Sequence, residues 1–217
     1  MAAGGNNVET VVFDLGGVLI DWDPRYLYRK IFATEEEMDE FLATVATPEW
    51  HVEQDRGRTM EEATALLLRQ HPQYGSQIEA YYGRWEEMFG GPIEDSVRVL
   101  RDVREQGHPL YALTNWSAED FPLARERWEF LSWFDEIIIS GEERKIKPDK
   151  EIYDVLVERT GLNPATTVFV DDRRPNIEAA EKLGFTAIEF RDAAQLRGDL
   201  VRLGVLPETP EGRPSDA

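Results

Sequence analysis

The stretch Thr10-Val11-Val12-Phe13-Asp14-Leu15-Gly16-Gly17-Val18-Leu19 decides the fold. Its first four residues are β-branched or aromatic, the composition of a strand covered on both faces, as in a parallel sheet. Such a strand carries a charge only where it reaches the rim, so Asp14 marks its end. Gly16 and Gly17 then let the chain turn sharply and bring bare backbone close to whatever Asp14 touches. A carboxylate so placed suits a nucleophile or a metal ligand.

Working outward, four further apolar runs follow: Leu110–Leu113, Ile137–Ile139, Thr167–Val170 and Thr186–Ile188. They alternate with helical stripes. Ile93, Val97, Leu100 and Val103 stop at Gly107, Ile152 and Leu156 at Gly161, and Ile177, Ala180 and Leu183 at Gly184. This alternation predicts an α/β fold, a Rossmann-like parallel sheet with helices on both faces. Between the first two strands a right-handed crossover needs one helix, yet the chain there is several helices long. Thr34 with Glu37 and Thr59 with Glu62 fit capping boxes. Met38, Phe41, Leu42 and Val45 make one helical stripe, and Ile78, Tyr82, Trp85 and Phe89 another. The expectation is an inserted all-helical cap over residues 24–92, returning through Gly90-Gly91-Pro92. It splits a discontinuous core of residues 1–23 and 93–206. The polar, proline-rich residues 207–217 read as a disordered tail.

With 41% hydrophobic residues in 217, the chain can bury a core, which excludes disorder except at the ends. There is no cysteine, so no disulfide framework and no thiolate metal site. A formal charge of −19 repels nucleic acid and anionic membrane, and neither is expected as a partner. It repels an anionic substrate too, so a phosphate ester would need local positive charge from a cation and a lysine. No apolar run approaches the roughly 20 residues of a membrane span. The first residues lack the basic and apolar regions of a signal peptide, and the expected location is cytoplasmic.

The strand ends carry the chemistry. The first closes on Asp14, the second on Thr114-Asn115, the third on Ser140 and the fourth on Asp171-Asp172. In a parallel sheet these ends share one edge, where open α/β folds bind ligands. Carboxylates gathered there repel one another unless a cation sits between them. Oxygen-only ligands without His or Cys favour a hard ion such as Mg²⁺. Lys147, after the third strand, can reach the same rim; its alternative is a surface pairing with Glu143 or Asp149. Trp22, Trp50 and Arg56, at the core–cap junction or in the cap, either line a pocket or serve packing and a hinge ion pair. Trp116, directly after Thr114-Asn115, is a candidate pocket wall. His51, His71 and His108 show no metal-ligand spacing, and no Ser–His–Asp arrangement is present.

Together the motifs resemble the haloacid dehalogenase-like hydrolases. Asp14-Leu15-Gly16-Gly17-Val18-Leu19 matches the first motif, Leu113-Thr114-Asn115 the second, Lys145-Ile146-Lys147-Pro148 the third and Val170-Asp171-Asp172-Arg173-Arg174-Pro175-Asn176 the fourth. Order and spacing agree across residues 8–190, and the insert resembles the helical cap of the family's first cap class. The chain is most similar to the α-D-glucose-1-phosphate phosphatase-like branch, which shares the Asp-Leu-Gly opening, Asp21-x-Asp23, Arg104-Glu105-Gln106-Gly107-His108 and Val170-Asp171-Asp172. The resemblance implies a Mg²⁺-dependent phosphatase acting on a small phosphorylated metabolite, such as a sugar phosphate. Asp14 would be the nucleophile that forms an aspartyl-phosphate, with Lys147 neutralising the phosphate and orienting Asp14. Thr114 and the amide of Asn115 would bind phosphate oxygens. Asp14, Asp172 and the Gly16 carbonyl would hold Mg²⁺, with Asp171 a ligand through water or a partner behind the ligands, steadied by Asn176.

One departure matters. Most phosphatases of the family have an aspartate two residues after the nucleophile, which protonates the leaving alcohol and then activates water. Here that position is Gly16, and losing a general acid costs about 10²–10⁴-fold. Three readings are open: a substrate whose alcohol leaves easily, a substitute acid with Asp21 or Asp23 nearest in sequence, or a weak or inactive member. The first is the expectation. Two other functions compete: a 2-haloacid dehalogenase using Asp14 on carbon without metal, and a non-catalytic binding module. The Asp171-Asp172 pair argues against the former, and the joint presence of Asp14, Lys147 and Asp172 against the latter.

Overall fold

A computed structural model describes residues 8–208. Residues 1–7, and the expected tail from residue 209 onward, lie outside the described residues. In chain order the elements are β1 (Thr10–Phe13), β2 (Ile20–Trp22), α1 (Arg25–Tyr28), α2 (Glu35–Thr44), α3 (Pro48–Asp55), α4 (Met60–Gln70), α5 (Gly75–Gly83) and β3 (Phe89–Pro92). There follow α6 (Glu94–Glu105), β4 (Leu110–Thr114), α7 (Phe121–Arg127), β5 (Glu136–Ile139), α8 (Ser140–Glu143), α9 (Lys150–Thr160), β6 (Thr167–Asp171), α10 (Arg174–Lys182), β7 (Thr186–Glu189) and α11 (Ala193–Arg202).

The five expected strands form one parallel sheet in the order β5-β4-β1-β6-β7. The β1 strand is central and fully buried, as its β-branched composition requires. Alternate residues serve opposite faces. Val11 and Phe13 join the larger apolar core, which runs on into the insert, while Val12 joins the second core with Leu113, Ile138 and Phe169. Because Phe13 lies opposite Val170 in the parallel register, Asp14 and Asp171 leave neighbouring strands side by side. Topology thus brings together two carboxylates more than 150 residues apart in sequence.

Between β1 and β4 the insert is helical over most of its length, with one correction. The stripe Ile78, Tyr82, Trp85 and Phe89 is not a single helix. The α5 helix stops at Gly83, a short 3-10 turn holds Trp85–Met88, and Phe89 enters a strand. That strand, β3, pairs antiparallel with β2, so both crossings between insert and sheet run through a two-stranded ribbon. Gly90 is required there, since a Cβ would lie 2.0 Å from Asp21 Oδ2. Thr59 and Glu62 form the full reciprocal capping box at the start of α4. Thr34 caps α2 through Glu37 N alone. Among the described residues no helix is long and apolar enough to cross a membrane.

Candidate active site

The expected rim residues meet at the carboxyl ends of β1, β4 and β6. Asp14 follows β1 and Asp171 ends β6, both buried, and Lys147 reaches them from the loop between α8 and α9. Its Nζ lies 2.9 Å from Asp14 Oδ1 and 2.7 Å from Asp171 Oδ2, with only 1% of the side chain exposed. The alternative surface pairing is ruled out: Glu143 pairs with Arg159, and Asp149 with Arg56. The Leu15 N–H also donates to Asp14 Oδ1, at 2.7 Å. Both donors therefore converge on one carboxylate oxygen.

Lys147 is held by its backbone as well as its charge. The Asn115 side chain clamps it reciprocally, Nδ2 donating to the Lys147 carbonyl (3.0 Å) and Oδ1 accepting from its N–H (2.8 Å). The side-chain amide of Asn115 is thus committed, while its backbone N–H donates to no backbone carbonyl among the described residues. Thr114 is buried at the end of β4. Asp171 is saturated, because Asn176 Nδ2 donates to both its oxygens (2.9 and 3.1 Å) and the Arg173 N–H to Oδ1 (2.8 Å), besides Lys147. Asn176 is fixed in turn by the Tyr153 hydroxyl donating to its carbonyl at 3.0 Å.

Asp172, by contrast, is exposed and folds over Gly17, where a Cβ would lie 2.6 Å from Asp172 Oδ2. Oxygens of Asp14, Asp171 and Asp172 all lie within 4.8 Å of one another. Burial pushes the Asp14 carboxyl up to about 7, with Asp171 and Asp172 adding to the rise and Lys147 opposing it. Burial alone would lower the Lys147 ammonium, but Asp14 and Asp171 more than offset it and hold it above the ordinary lysine range. Three carboxylates against one ammonium leave excess negative charge, and the donors are hard oxygens. The Gly16 carbonyl accepts no backbone hydrogen bond among the described residues. These residues fit a Mg²⁺ ion.

Other expectations resolve differently. The Trp116 ring is not a free pocket wall. It packs with Phe89, Trp85 and Phe121 at centroid distances of 5.9, 6.0 and 5.5 Å, tying the ribbon to the β4 loop. Trp50 is buried in insert packing, and Trp22 stacks on His51. Arg56 makes the hinge ion pair, 3.0 Å from Asp149. Asp21 and Asp23 are both engaged, accepting from the Tyr26 hydroxyl and the Arg25 N–H respectively. Asp55 and Asp120 are two further buried carboxyls, and neither ends an apolar strand, so no strand-end signal marks them in the sequence.

Over residues 8–184 the sequence matches the family model of the haloacid dehalogenase-like hydrolases. A sesquiterpene phosphatase of Aspergillus oryzae is 30% identical over 85% of this chain and 91% of its own length. A phosphorylated carbohydrates phosphatase of Thermotoga maritima is 24% identical over 83% of this chain and 84% of its own. In fold, the magnesium complex of a haloacid dehalogenase family enzyme from Bacteroides thetaiotaomicron superposes with a TM-score of 0.71 at 21% identity, covering 90% of this chain and 99% of that one.

Proposed function

The chain belongs to the haloacid dehalogenase-like hydrolases, and we propose that it is a Mg²⁺-dependent phosphatase acting on small phosphorylated metabolites, sugar phosphates among them. One observation carries this reading: a buried lysine shared by the carboxylates that end two neighbouring strands, with Asp172 beside them. Lys147 and the Leu15 N–H both hold Asp14 Oδ1, which leaves Oδ2 as the oxygen that attacks phosphorus. The phosphoryl group passes to Asp14 and then to water. Thr114, the Asn115 N–H and Lys147 bind its oxygens and neutralise their charge.

Asp14, Asp172 and the Gly16 carbonyl would hold Mg²⁺, which supplies charge neutralisation at the transferring phosphoryl group. Asp171, already saturated by four hydrogen bonds, positions Lys147. Residues 24–92 act as a cap on a core of residues 1–23 and 93–206. The sequence motifs resemble those of the α-D-glucose-1-phosphate phosphatase-like branch, and two phosphatases among its relatives agree with phosphate-ester chemistry.

A panel of phosphate monoesters with Mg²⁺ tests the reading. Turnover is expected, and it should disappear in EDTA and in Asp14→Asn. Halide release from 2-haloacids that persists in EDTA would replace it with dehalogenation. Inertness on the whole panel would leave a binding module.

A further inference from the structure

Position 16 supplies no proton to a leaving alcohol, and the two acids nearest in sequence are engaged elsewhere. Asp21 accepts from the Tyr26 hydroxyl at 2.7 Å and fills the space opposite Gly90, while Asp23 takes the Arg25 N–H at 2.8 Å. The insert offers another carboxyl. Asp55, the last residue of α3, is 7% exposed. Its segment is wedged between the two loops that carry the site. Arg56 Nη1 lies 3.0 Å from Asp149 Oδ2, two residues past Lys147. A Cβ on Gly57 would lie 3.1 Å from the Gly141 carbonyl, and the Met60 N–H donates to Glu119 Oε2 at 2.9 Å, one residue before Asp120.

The surroundings of Asp55 are polar but incompletely paired. Gln54 Nε2 and the Tyr82 hydroxyl are buried without hydrogen-bond partners among the described residues. Unpaired buried polar atoms are costly, and Gln54 directly precedes Asp55 at the end of α3. Burial raises the Asp55 carboxyl to about 7, Asp120 adds to the rise and Lys147 opposes it.

We propose that Asp55, reaching from the insert toward the rim, is the general acid–base group that position 16 lacks; this rests on the phosphatase reading above. Attack by Asp14 is in line, so the leaving oxygen departs on the side of phosphorus opposite Asp14. As the bond from phosphorus to that oxygen breaks and the Asp14–phosphorus bond forms, Asp55 gives its proton to the alkoxide and becomes a carboxylate. In the second step a water attacks phosphorus and gives a proton to Asp55, and the bond to Asp14 breaks. Phosphate leaves, with Asp14 ionised and Asp55 protonated again.

The test compares an alkyl ester, glycerol 1-phosphate, with an ester whose alcohol leaves unaided, p-nitrophenyl phosphate, on the full-length chain with Mg²⁺. Asp55→Asn should slow alkyl-ester turnover by about 10²–10⁴-fold. The first-turnover release of nitrophenolate should change by less than about 10-fold, since that leaving group needs no proton. Adding Gly16→Asp to Asp55→Asn should recover alkyl turnover by 10-fold or more. Equal losses on both esters, or no loss on either, would overturn the role of Asp55. A wild-type chain inert on both esters would overturn the phosphatase reading itself.

Discussion

Gly16 and Gly17 stand side by side and meet opposite constraints. Gly17 has φ +74° and no room for a Cβ beneath Asp172, so Gly17→Ala should displace Asp172 and lower stability by about 1–3 kcal/mol in a denaturant titration. Nothing lies within 4 Å of a Cβ on Gly16, and its φ is not positive, so Gly16→Asp should fold with stability changed by less than about 1 kcal/mol. The absent acid is therefore a choice of residue and not a steric necessity. Lys147→Ala should cost about 3–5 kcal/mol, because it removes the ammonium shared by the buried Asp14 and Asp171 and leaves their charge to neutral N–H donors alone. Asp55 has a pH signature. Its folded carboxyl is raised from 3.8 to about 7, so between those values the folded chain binds more protons than the unfolded one. Its contribution to stability then falls as pH rises through that window and levels off above it. Asp55→Asn should remove that loss, raising stability at pH 8 relative to pH 4 by at most about 4 kcal/mol, read from melts at both pH values.

At the scale of elements, period and punctuation located most of the structure. The runs at Thr10, Leu110, Ile137, Thr167 and Thr186 are strands because each is apolar, β-rich and bounded by turn residues. The α4 capping box was legible from Thr59 and Glu62, and Thr59→Ala should cost about 1 kcal/mol. The β2–β3 ribbon was not legible. Ile20–Trp22 is too short to show alternation, and Phe89-Gly90-Gly91-Pro92 has the composition of a turn. Only the partner strand makes either an extended element. The stripe ending at Phe89 misled for the same reason: a helical spacing continues on paper past Gly83, where the helix itself stops.

The whole molecule sets how substrate reaches the rim. Asp14 is only 9% exposed in its side chain and Lys147 1%, while Asp172 beside them is exposed, so the cluster opens to solvent on the Asp172 side. The Arg56–Asp149 pair bridges insert and core while both partners remain over 40% exposed, so it should add little to stability. Arg56→Ala is expected to leave the melting curve within about 0.5 kcal/mol while speeding hydrogen exchange in α3. The net charge of −19 repels an anionic ester at long range. Rising salt should therefore increase kcat/KM for a phosphate monoester through screening, whereas a fall would show that Lys147 and its neighbours dominate the approach.

Legible in the sequence alone are the α/β class, the five core strands, the helical character of most of the insert, and the candidate set Asp14, Thr114, Asn115, Lys147 and Asp171-Asp172. Those features are written in local period and in polar residues that end apolar runs, and parallel topology gathers strand ends at one edge without further instruction. The contacts each residue makes there are set by tertiary packing. The tertiary structure showed Asn115 clamping the Lys147 backbone, Asp171 saturated, Gly17 pinned by Asp172 and the Trp116 ring spent on packing. It also placed Asp55 beside the loops of the rim, more than 40 residues after Asp14. No sequence pattern marks that position. Its burial and its neighbours come from the docking of insert on core, a long-range contact that local period does not encode.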